Sequence, residues 1–148
     1  MKFKKFLVYL LFLAPWFIST LLFKSDSSYY YSLNLPWFAP PPIVFAIVWP
    51  ILYSLIAYSI YKTLPNSSSN YKIYLLINYL SNQLYSFAFF SLKNNFLALI
   101  DTIIILISSL YLYVETKILN EKEAKYLIPY IIWNIFALIL VFTIFIIN

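Results

Sequence analysis

The sequence contains no cysteine, no histidine and no arginine, and its single methionine is Met1. Without thiolate or imidazole groups, the chain lacks the side chains that form disulfides, ordinary zinc sites, Fe–S clusters and His- or Met-bound haem. Without guanidinium groups, it also lacks the planar fork that binds carboxylate or phosphate in a bidentate way. We therefore predict no metal site and no resident cofactor.

Glycine is absent as well. This excludes glycine-rich phosphate loops, the G-x-S-x-G nucleophile elbow and a G-x-x-x-G helix-pairing face. A possible homodimer would have to use other small residues, such as Ala88 or Ser86. Paired carboxylates are missing too, so any chemistry would be aromatic or photochemical, or would belong to a ligand.

Charged residues are scarce, at 10% of a 148-residue chain of which 64% is hydrophobic. So few polar groups cannot cover a water-soluble core, and the composition indicates an integral membrane protein in contact with lipid. The ten lysines carry all of the positive charge, yet they stand at the ends of apolar runs and form no aromatic-interleaved basic face. We therefore predict no nucleic-acid partner.

Five apolar runs are each long enough to cross a bilayer as a helix, because about 20 residues at ~1.5 Å rise span roughly 30 Å. We predict an all-α protein with one domain over 1–148, a bundle of five transmembrane helices joined by short polar segments, the longest being the loop 24–42. The predicted spans are 6–23, 43–61, 73–92, 96–114 and 126–147.

The first run also fits a second interpretation. The stretch "MKFKKFLVYLLFLA" has the lysine-rich start and short apolar core of a signal peptide. Against cleavage, the apolar run continues to Phe23, and no A-x-A-like site precedes a mature start. Removal of this segment would leave four spans.

Lysines are distributed unevenly between the two sides of the predicted bundle. The N-terminal side holds eight of them, and the other side holds Lys24 and Lys93. Because lysines concentrate on the cytoplasmic side of membrane helices, we predict a cytoplasmic N-terminus, with the loop 24–42 and the C-terminus external. The cell membrane is the expected location.

Several polar and aromatic residues fall at membrane depth. In the second span Trp49 and Tyr53 share one helix face, and in the fifth Trp133 and Ala137 do the same. The third span carries a single stripe formed by Asn78, Asn82, Tyr85 and Phe89. For the two tryptophans, pocket lining and ordinary helix packing are both open, and Asn82 is either an interhelical hydrogen-bonding group or a ligand contact.

Asp101 lies five residues inside the predicted fourth span. An acidic residue in such a position is a functional candidate. It is also explained structurally, since a carboxylate near a helix N-terminus meets a favourable dipole and Lys93 is one short loop away. Proton coupling is the alternative.

Four motifs carry a family resemblance. The stretch "YYYSLNLPWFAPPPIVFAIVWPILY" is followed in order by "SNQLYSFAFF", "ALID" and "YLIPYIIWNIFA". Together they resemble the translocator protein family, also known as tryptophan-rich sensory proteins and peripheral-type benzodiazepine receptors, over nearly the whole chain. The sequence departs from the family at Gln83 and Tyr85, where tryptophans are common. It also departs at Leu140-Val141, where Leu-Asn is usual, and the cholesterol-recognition pattern of animal members is missing.

The resemblance implies a five-helix bundle, often dimeric, that acts as a membrane receptor or carrier. Its first loop would close a pocket for porphyrin-like tetrapyrroles and for flat drugs of the isoquinoline carboxamide or benzodiazepine type. The implied pocket residues are Tyr30, Pro40, Trp49, Tyr53, Asn82, Tyr85, Phe89, Trp133 and Ala137. The prolines before the second span would stiffen the loop as an extended lid.

Two alternatives remain. In the first, the protein is an enzyme that promotes light- and oxygen-dependent porphyrin degradation, with Trp49 and Trp133 as participants. In the second, it is a membrane scaffold without a ligand. Metal-free porphyrin fits better than ligated haem, because only tyrosine could hold the iron.

Overall fold

The structure is a computed structural model that describes residues 2–148. The described chain is helical, with short connections and no β-strand. This confirms the all-α class. The helical order follows from the apolar runs, because a backbone in lipid must satisfy its hydrogen bonds within the segment.

The first span is interrupted near its middle. Helix α1 covers Lys2–Leu13, a 3₁₀ turn covers Ala14–Phe17, and α2 covers Ile18–Leu22. Pro15 stands at the start of the turn, where its missing N–H costs nothing. Two side chains of the third span satisfy the disturbed backbone: Gln83 Oε1 accepts from the Ser19 N–H at 2.7 Å, and the Tyr79 hydroxyl donates to the Pro15 carbonyl at 3.1 Å.

The loop between the first two spans, residues 23–41 and hereafter the first loop, contains a short helix, α3, at Ser27–Ser32. Asp26 caps this helix by accepting from the Tyr29 N–H at 3.0 Å. The proline-rich part is not extended throughout, as the sequence had led us to expect. The Ala39 N–H donates to the Pro36 carbonyl at 2.9 Å, which closes a turn that leaves Trp37 96% exposed.

Four long segments complete the chain. Helix α4 covers Pro42–Thr63 and continues as a 3₁₀ turn at Leu64–Asn66. Helix α5 covers Ser69–Ser86 and ends in a π-helical turn at Phe87–Ser91, and α6 covers Asn95–Leu119. A short helix α7 at Glu121–Ala124 and a 3₁₀ turn at Lys125–Leu127 precede α8 at Ile128–Ile147.

Four stretches of the described chain are long and apolar enough to cross a membrane, namely Phe3–Leu22, Pro42–Asn66, Asn95–Leu119 and Glu121–Ile147. They correspond to the predicted first, second, fourth and fifth spans. The third predicted span forms α5 and its π turn, which are comparably long but more polar because of residues such as Asn78, Asn82 and Gln83. Its crossing of the membrane stays a prediction.

The helices pack as a bundle in which α5 lies against α6, α6 against α8 and α1 against α4. One buried cluster surrounds Ile56, Tyr71 and Tyr130, and a second surrounds Tyr30, Phe89 and Leu140. The second cluster is next to the first loop, so we call that end of the bundle the loop end and the opposite end the lysine-rich end. Large apolar side chains such as Leu21, Ile132 and Ile146 remain exposed on the outside, as expected for a surface that faces lipid.

The two suggested dimer residues differ in exposure. Ala88 is buried within the chain at 7% exposure, whereas Ser86 is half-buried and contributes to the lining of a cavity. Small side chains at helix contacts serve packing inside one chain as readily as packing between chains. A homodimer stays a prediction.

Candidate functional site

A cavity of about 380 Å³ lies at the loop end of the bundle. Its walls come from the end of the first span, from the first loop and from α4, α5, α6 and α8. The volume falls in the range of small-molecule pockets, and the lining is mostly apolar and aromatic with a few polar groups, as is typical of them.

Eight of the nine pocket residues predicted from the sequence line this one cavity. They are Tyr30, Trp49, Tyr53, Asn82, Tyr85, Phe89, Trp133 and Ala137. The ninth, Pro40, is not part of the lining. Its carbonyl accepts a hydrogen bond from the Tyr30 hydroxyl at 2.9 Å, so it holds a lining residue in place.

Aromatic rings form one wall of the cavity. The rings of Trp49 and Tyr53 lie 5.4 Å apart with an interplanar angle of 33°, and Trp133 meets Trp49 edge-on at 6.5 Å. Phe45, one turn before Trp49 on the same helix, meets Trp133 at 5.9 Å. Such tilted and edge-on pairs are the arrangements that ring quadrupoles favour, and they leave ring faces and edges directed toward the cavity.

A hydrogen-bonded chain of buried side chains lies behind the aromatic wall and joins three helices. The Asn82 Nδ2 donates to the Tyr130 hydroxyl at 2.7 Å, and that hydroxyl donates to Asn78 Oδ1 at 3.0 Å. Asn78 Nδ2 then donates to Ser108 Oγ at 2.9 Å. Asn82 therefore serves as an interhelical hydrogen-bonding group while it also lines the cavity, so the two interpretations left open by the sequence are compatible.

Two donors of the cavity lining are buried without a hydrogen-bond partner in the chain. They are the indole Nε1 of Trp133 and the amide Nδ2 of Asn134. An unpaired buried donor is costly, and each of these groups could donate to an acceptor atom placed in the cavity. Sequence reasoning missed Asn134; the available signal was a second amide at membrane depth in the fifth span, directly after Trp133.

The first loop is attached to the bundle at both of its ends. Near its start, Lys93 Nζ is 3.9 Å from the Asp26 carboxylate and stands over the Tyr29 ring, 5.1 Å from its centroid. Near its end, the Asn34 N–H donates to Asn148 Oδ1 at 2.8 Å, and Asn148 Nδ2 donates back to the Asn34 carbonyl at 3.0 Å. The loop is thereby held over the cavity, with its own Tyr30 side chain buried against the bundle.

These attachments change the titration of the loop residues. The Ser28 hydroxyl, the Tyr29 N–H and the charge of Lys93 all favour the ionised carboxylate, so the pKa of Asp26 lies below its ordinary value. Burial raises the pKa of the Tyr29 and Tyr30 hydroxyls, because it disfavours their charged form. Both phenols therefore remain neutral donors over the physiological pH range.

Asp101 is placed differently from the sequence expectation. Lys93, its expected partner, approaches Asp26 instead. The carboxyl oxygen Oδ2 of Asp101 is buried without a hydrogen-bond partner in the described chain. Asp101 itself is not part of the cavity lining, although the next residue on the helix, Thr102, is.

Apolar helices of membrane-spanning length around an aromatic, loop-covered cavity define a helical-bundle membrane protein with an internal cavity of small-molecule size. The sequence matches the TspO/MBR family over residues 6–147. The chain belongs to this family, which confirms the resemblance found in its motifs.

Individual relatives are similar to the chain over most or all of their length. The chain is 34% identical to the "Tryptophan-rich protein TspO" of Bacillus cereus over 151 aligned residues, covering 100% of this chain and 99% of the relative. It is 33% identical to the "Uncharacterized membrane protein YtaB" of Bacillus subtilis over 127 residues, 83% of this chain and 82% of the relative. A TspO protein of Archaeoglobus fulgidus is 30% identical over 132 residues, with 84% and 83% covered.

Proposed function

We propose that this protein is a membrane receptor or carrier that binds porphyrin-like tetrapyrroles and other flat hydrophobic molecules, including isoquinoline carboxamide and benzodiazepine types, in the cavity at the loop end. The observation that carries the proposal is the convergence of aromatic residues from several helices on one cavity of about 380 Å³. Membership of the TspO/MBR family supports it.

In the proposed arrangement all five helical segments cross the membrane. Helix α5 and its π turn form the third span, because their polar groups point inward to hydrogen-bond with Tyr130, Ser108 and the break in the first span. With these groups directed inward, the outer surface of α5 beyond its first turn is mostly apolar, for example at Leu76 and Leu84. The lysine-rich end is cytoplasmic and the first loop is external.

Each part of the cavity has a proposed role in recognition. The rings of Trp49, Tyr53 and Tyr85 provide faces for a flat conjugated ligand. Trp133 Nε1 and Asn134 Nδ2 provide unpaired donors for its acceptor atoms. Carboxylates of a tetrapyrrole would extend toward the loop end, where serine hydroxyls of the first loop line the cavity and Lys24 is exposed.

The first loop acts as a lid in this proposal. It contributes Ser25, Ser27 and Tyr30 to the lining, and it is fastened to α8 through Asn34 and Asn148. Its prolines limit the conformations of the open state, so that closing over a ligand loses little entropy.

Intrinsic tryptophan fluorescence tests the proposal. Protoporphyrin titrated into the reconstituted protein should quench emission in a saturable way, because Trp49 and Trp133 line the cavity. Replacing Ala137 with phenylalanine should fill part of the cavity and weaken binding at least tenfold, by the usual cost of overpacking. Ile139→Phe is the matched control, since Ile139 is on the same helix but is 52% exposed on the outer surface.

The two variants distinguish binding in the cavity from binding elsewhere. Saturable quenching that Ala137→Phe weakens and Ile139→Phe preserves would support the cavity as the binding site. If neither porphyrins nor isoquinolines quench saturably, the protein is better described as a membrane scaffold. Equal affinity of Ala137→Phe and wild type would place the ligand elsewhere.

A second candidate function is light- and oxygen-dependent porphyrin degradation. The observation that favours it is the edge-on pair of Trp49 and Trp133, 6.5 Å apart and both in the cavity wall, where a bound photosensitiser would be next to two oxidisable indoles. Aerobic illumination of the protein with protoporphyrin tests it. A new porphyrin product that disappears in Trp49→Phe or Trp133→Phe, while binding persists, would favour the enzyme over the carrier.

A further inference from the structure

A second concavity, hereafter the side groove, lies on the outside of the bundle toward its lysine-rich end. It has a volume of about 340 Å³ and is bounded by α1 with its break, by the end of α4 and by α5. It is separate from the cavity described above, and no residue lines both. Its lining comprises Leu11, Phe12, Pro15, Trp16, Ile60, Leu64, Lys72, Leu75, Leu76 and Tyr79.

The side groove is apolar along its length and positively charged at one end. The hydroxyl of Tyr79 is already bonded to the Pro15 carbonyl, so the inner part of the groove offers only apolar surface. The only charged side chain in the lining is that of Lys72. Among residues 2–148, Lys72 takes part in no ion pair, so its ammonium group is available to an anion.

The helices beside the groove run in parallel, which places a second lysine at the same end. Hydrogen bonds join Ser19 to Gln83 and Pro15 to Tyr79 at the same sequence separation of 64 residues. Lys4 lies seven residues before Leu11 on α1, which is two helical turns and hence the same face. Lys4 therefore stands below the groove, about one turn beyond Lys72.

The dimensions accommodate the part of a lipid tail nearest its head group. Lys72 and Tyr79 are seven residues apart on α5, so the groove reaches roughly 10 Å from the lysine level into the bilayer. Its apolar floor suits a hydrocarbon chain, and its charged mouth is at the level of the head groups. A lipid without net charge would leave the lysine charge uncompensated. An anionic lipid would place its acyl chain on the apolar surface and its negative head group beside the lysine.

We propose that the side groove is a binding site for an anionic phospholipid of the leaflet at the lysine-rich end. One acyl chain lies against Trp16, Leu75 and Tyr79, and Lys72 and Lys4 hold the phosphate. The site does not depend on what occupies the cavity at the loop end.

Quenching by brominated lipids tests the site, because Trp16 lines the groove and only 2% of its surface is exposed, which separates it from the surrounding lipid. The full chain is placed in phosphatidylcholine nanodiscs that contain increasing fractions of phosphatidylglycerol brominated on its acyl chains. We expect a saturable component of quenching at low mole fraction that is lost in Trp16→Phe. Brominated phosphatidylcholine should give only the gradual quenching expected of lipid at exposed sites such as Trp37.

The charge requirement is tested by a matched pair of variants. Lys72→Gln should raise the half-saturating fraction of brominated phosphatidylglycerol about fivefold, the factor expected for one lysine that faces an anionic leaflet. Lys117→Gln removes the same charge at the lysine-rich end, but Lys117 is on α6, stands over the Tyr113 ring and does not line the groove. It should leave the curve unchanged.

Two outcomes would overturn the proposal. The first is the same quenching curve for the anionic and the neutral lipid, or the same curve for Lys72→Gln and Lys117→Gln. The second is a second copy of the chain in the groove. Leu76→Cys would reveal it as a disulfide-linked dimer, and no other disulfide can form because the chain has no cysteine of its own.

An independent readout is needed because Trp16→Phe changes a packed residue. Native mass spectrometry provides it: the wild-type protein should retain a bound phosphatidylglycerol, and Lys72→Gln should lose it.

Discussion

The indole rings of Trp49 and Trp133 meet edge-on in the cavity wall, with centroids 6.5 Å apart and an interplanar angle of 88°. They come from α4 and α8, which are separated by more than 60 residues of chain. The Trp133 Nε1 is fully buried without a hydrogen-bond partner. The pair therefore combines apolar ring surface with a buried, unpaired donor.

The unused donor leads to the first prediction. Trp133→Phe keeps most of the ring contact and removes the N–H group, so affinity for ligands with a carbonyl or carboxylate acceptor should fall roughly fivefold to tenfold, the value of one hydrogen bond. Equilibrium fluorescence titration measures it. Trp37→Phe is the control, because Trp37 is 96% exposed and does not line the cavity. Equal affinities of the two variants would exclude Trp133 Nε1 as a ligand contact.

The second prediction concerns the buried hydrogen-bonded chain. Tyr130→Phe removes the hydroxyl that accepts from Asn82 and donates to Asn78, so both amides lose a partner inside the bundle. We expect the free energy of unfolding to fall by roughly 1–2 kcal/mol, measured by denaturant titration in micelles. Tyr126→Phe is the control, because Tyr126 interacts with Tyr58 through its ring. A loss no greater than that of the control would show that the network contributes little.

The third prediction concerns the attachment of the first loop. Asn148→Ala removes both hydrogen bonds to the backbone of Asn34. If the loop covers the ligand, the dissociation rate of a bound porphyrin should rise roughly fivefold, while the association rate changes less. Stopped-flow displacement measures both rates. Asn70→Ala, at the opposite end of the bundle, should have no effect, and an unchanged dissociation rate in Asn148→Ala would show that this attachment does not control release.

The fourth prediction is a pH dependence of the other loop attachment. The pKa of Asp26 is lower in the folded protein than in the unfolded chain, where it is about 3.9, so this residue stabilises the folded loop above that pH. The stabilisation is lost as the pH falls through the lower folded value. Hydrogen-exchange protection factors of residues 27–32 should therefore stay constant from pH 7 to about 5 and fall below about pH 4. Asp26→Asn should be less protected at neutral pH and should lose this acid transition; a transition that persists in Asp26→Asn would assign it to another group.

The sequence indicated the helical class because its main signal, long apolar runs, reports directly on backbone hydrogen bonding in lipid. It located the first, second, fourth and fifth spans to within five residues at each end. The third span was harder to judge, because Asn78, Asn82 and Gln83 lower its apolar character. Those polar groups form hydrogen bonds with residues of other helices, such as Tyr130 and Ser19. No local sequence pattern identifies these partners.

The pocket residues, too, could be predicted from the sequence only in part. Helical periodicity placed Asn82, Tyr85 and Phe89 on one face, and the family resemblance related that face to Trp49 and Trp133. Neither source distinguished Pro40, which supports Tyr30 through its carbonyl, from a lining residue. Neither identified Asn134 as an unpaired donor, since whether a buried amide is satisfied depends on every neighbour around it.

Loop contacts were the least accessible to sequence reasoning. Lys93 was expected beside Asp101, eight residues away, but it approaches Asp26 of the first loop instead. Asn34 and Asn148 lie 114 residues apart, and nothing in either neighbourhood indicates that they pair.

Composition and apolar periodicity alone determined that this chain is a helical membrane protein and which faces of its helices turn inward, because both follow from the transfer of single segments from water to lipid. Only the tertiary structure decided which inward groups satisfy one another, which donors remain unpaired in the cavity, and where a charged groove opens on the outer surface. These features depend on distances between helices, and such distances are set by the packing of the whole bundle.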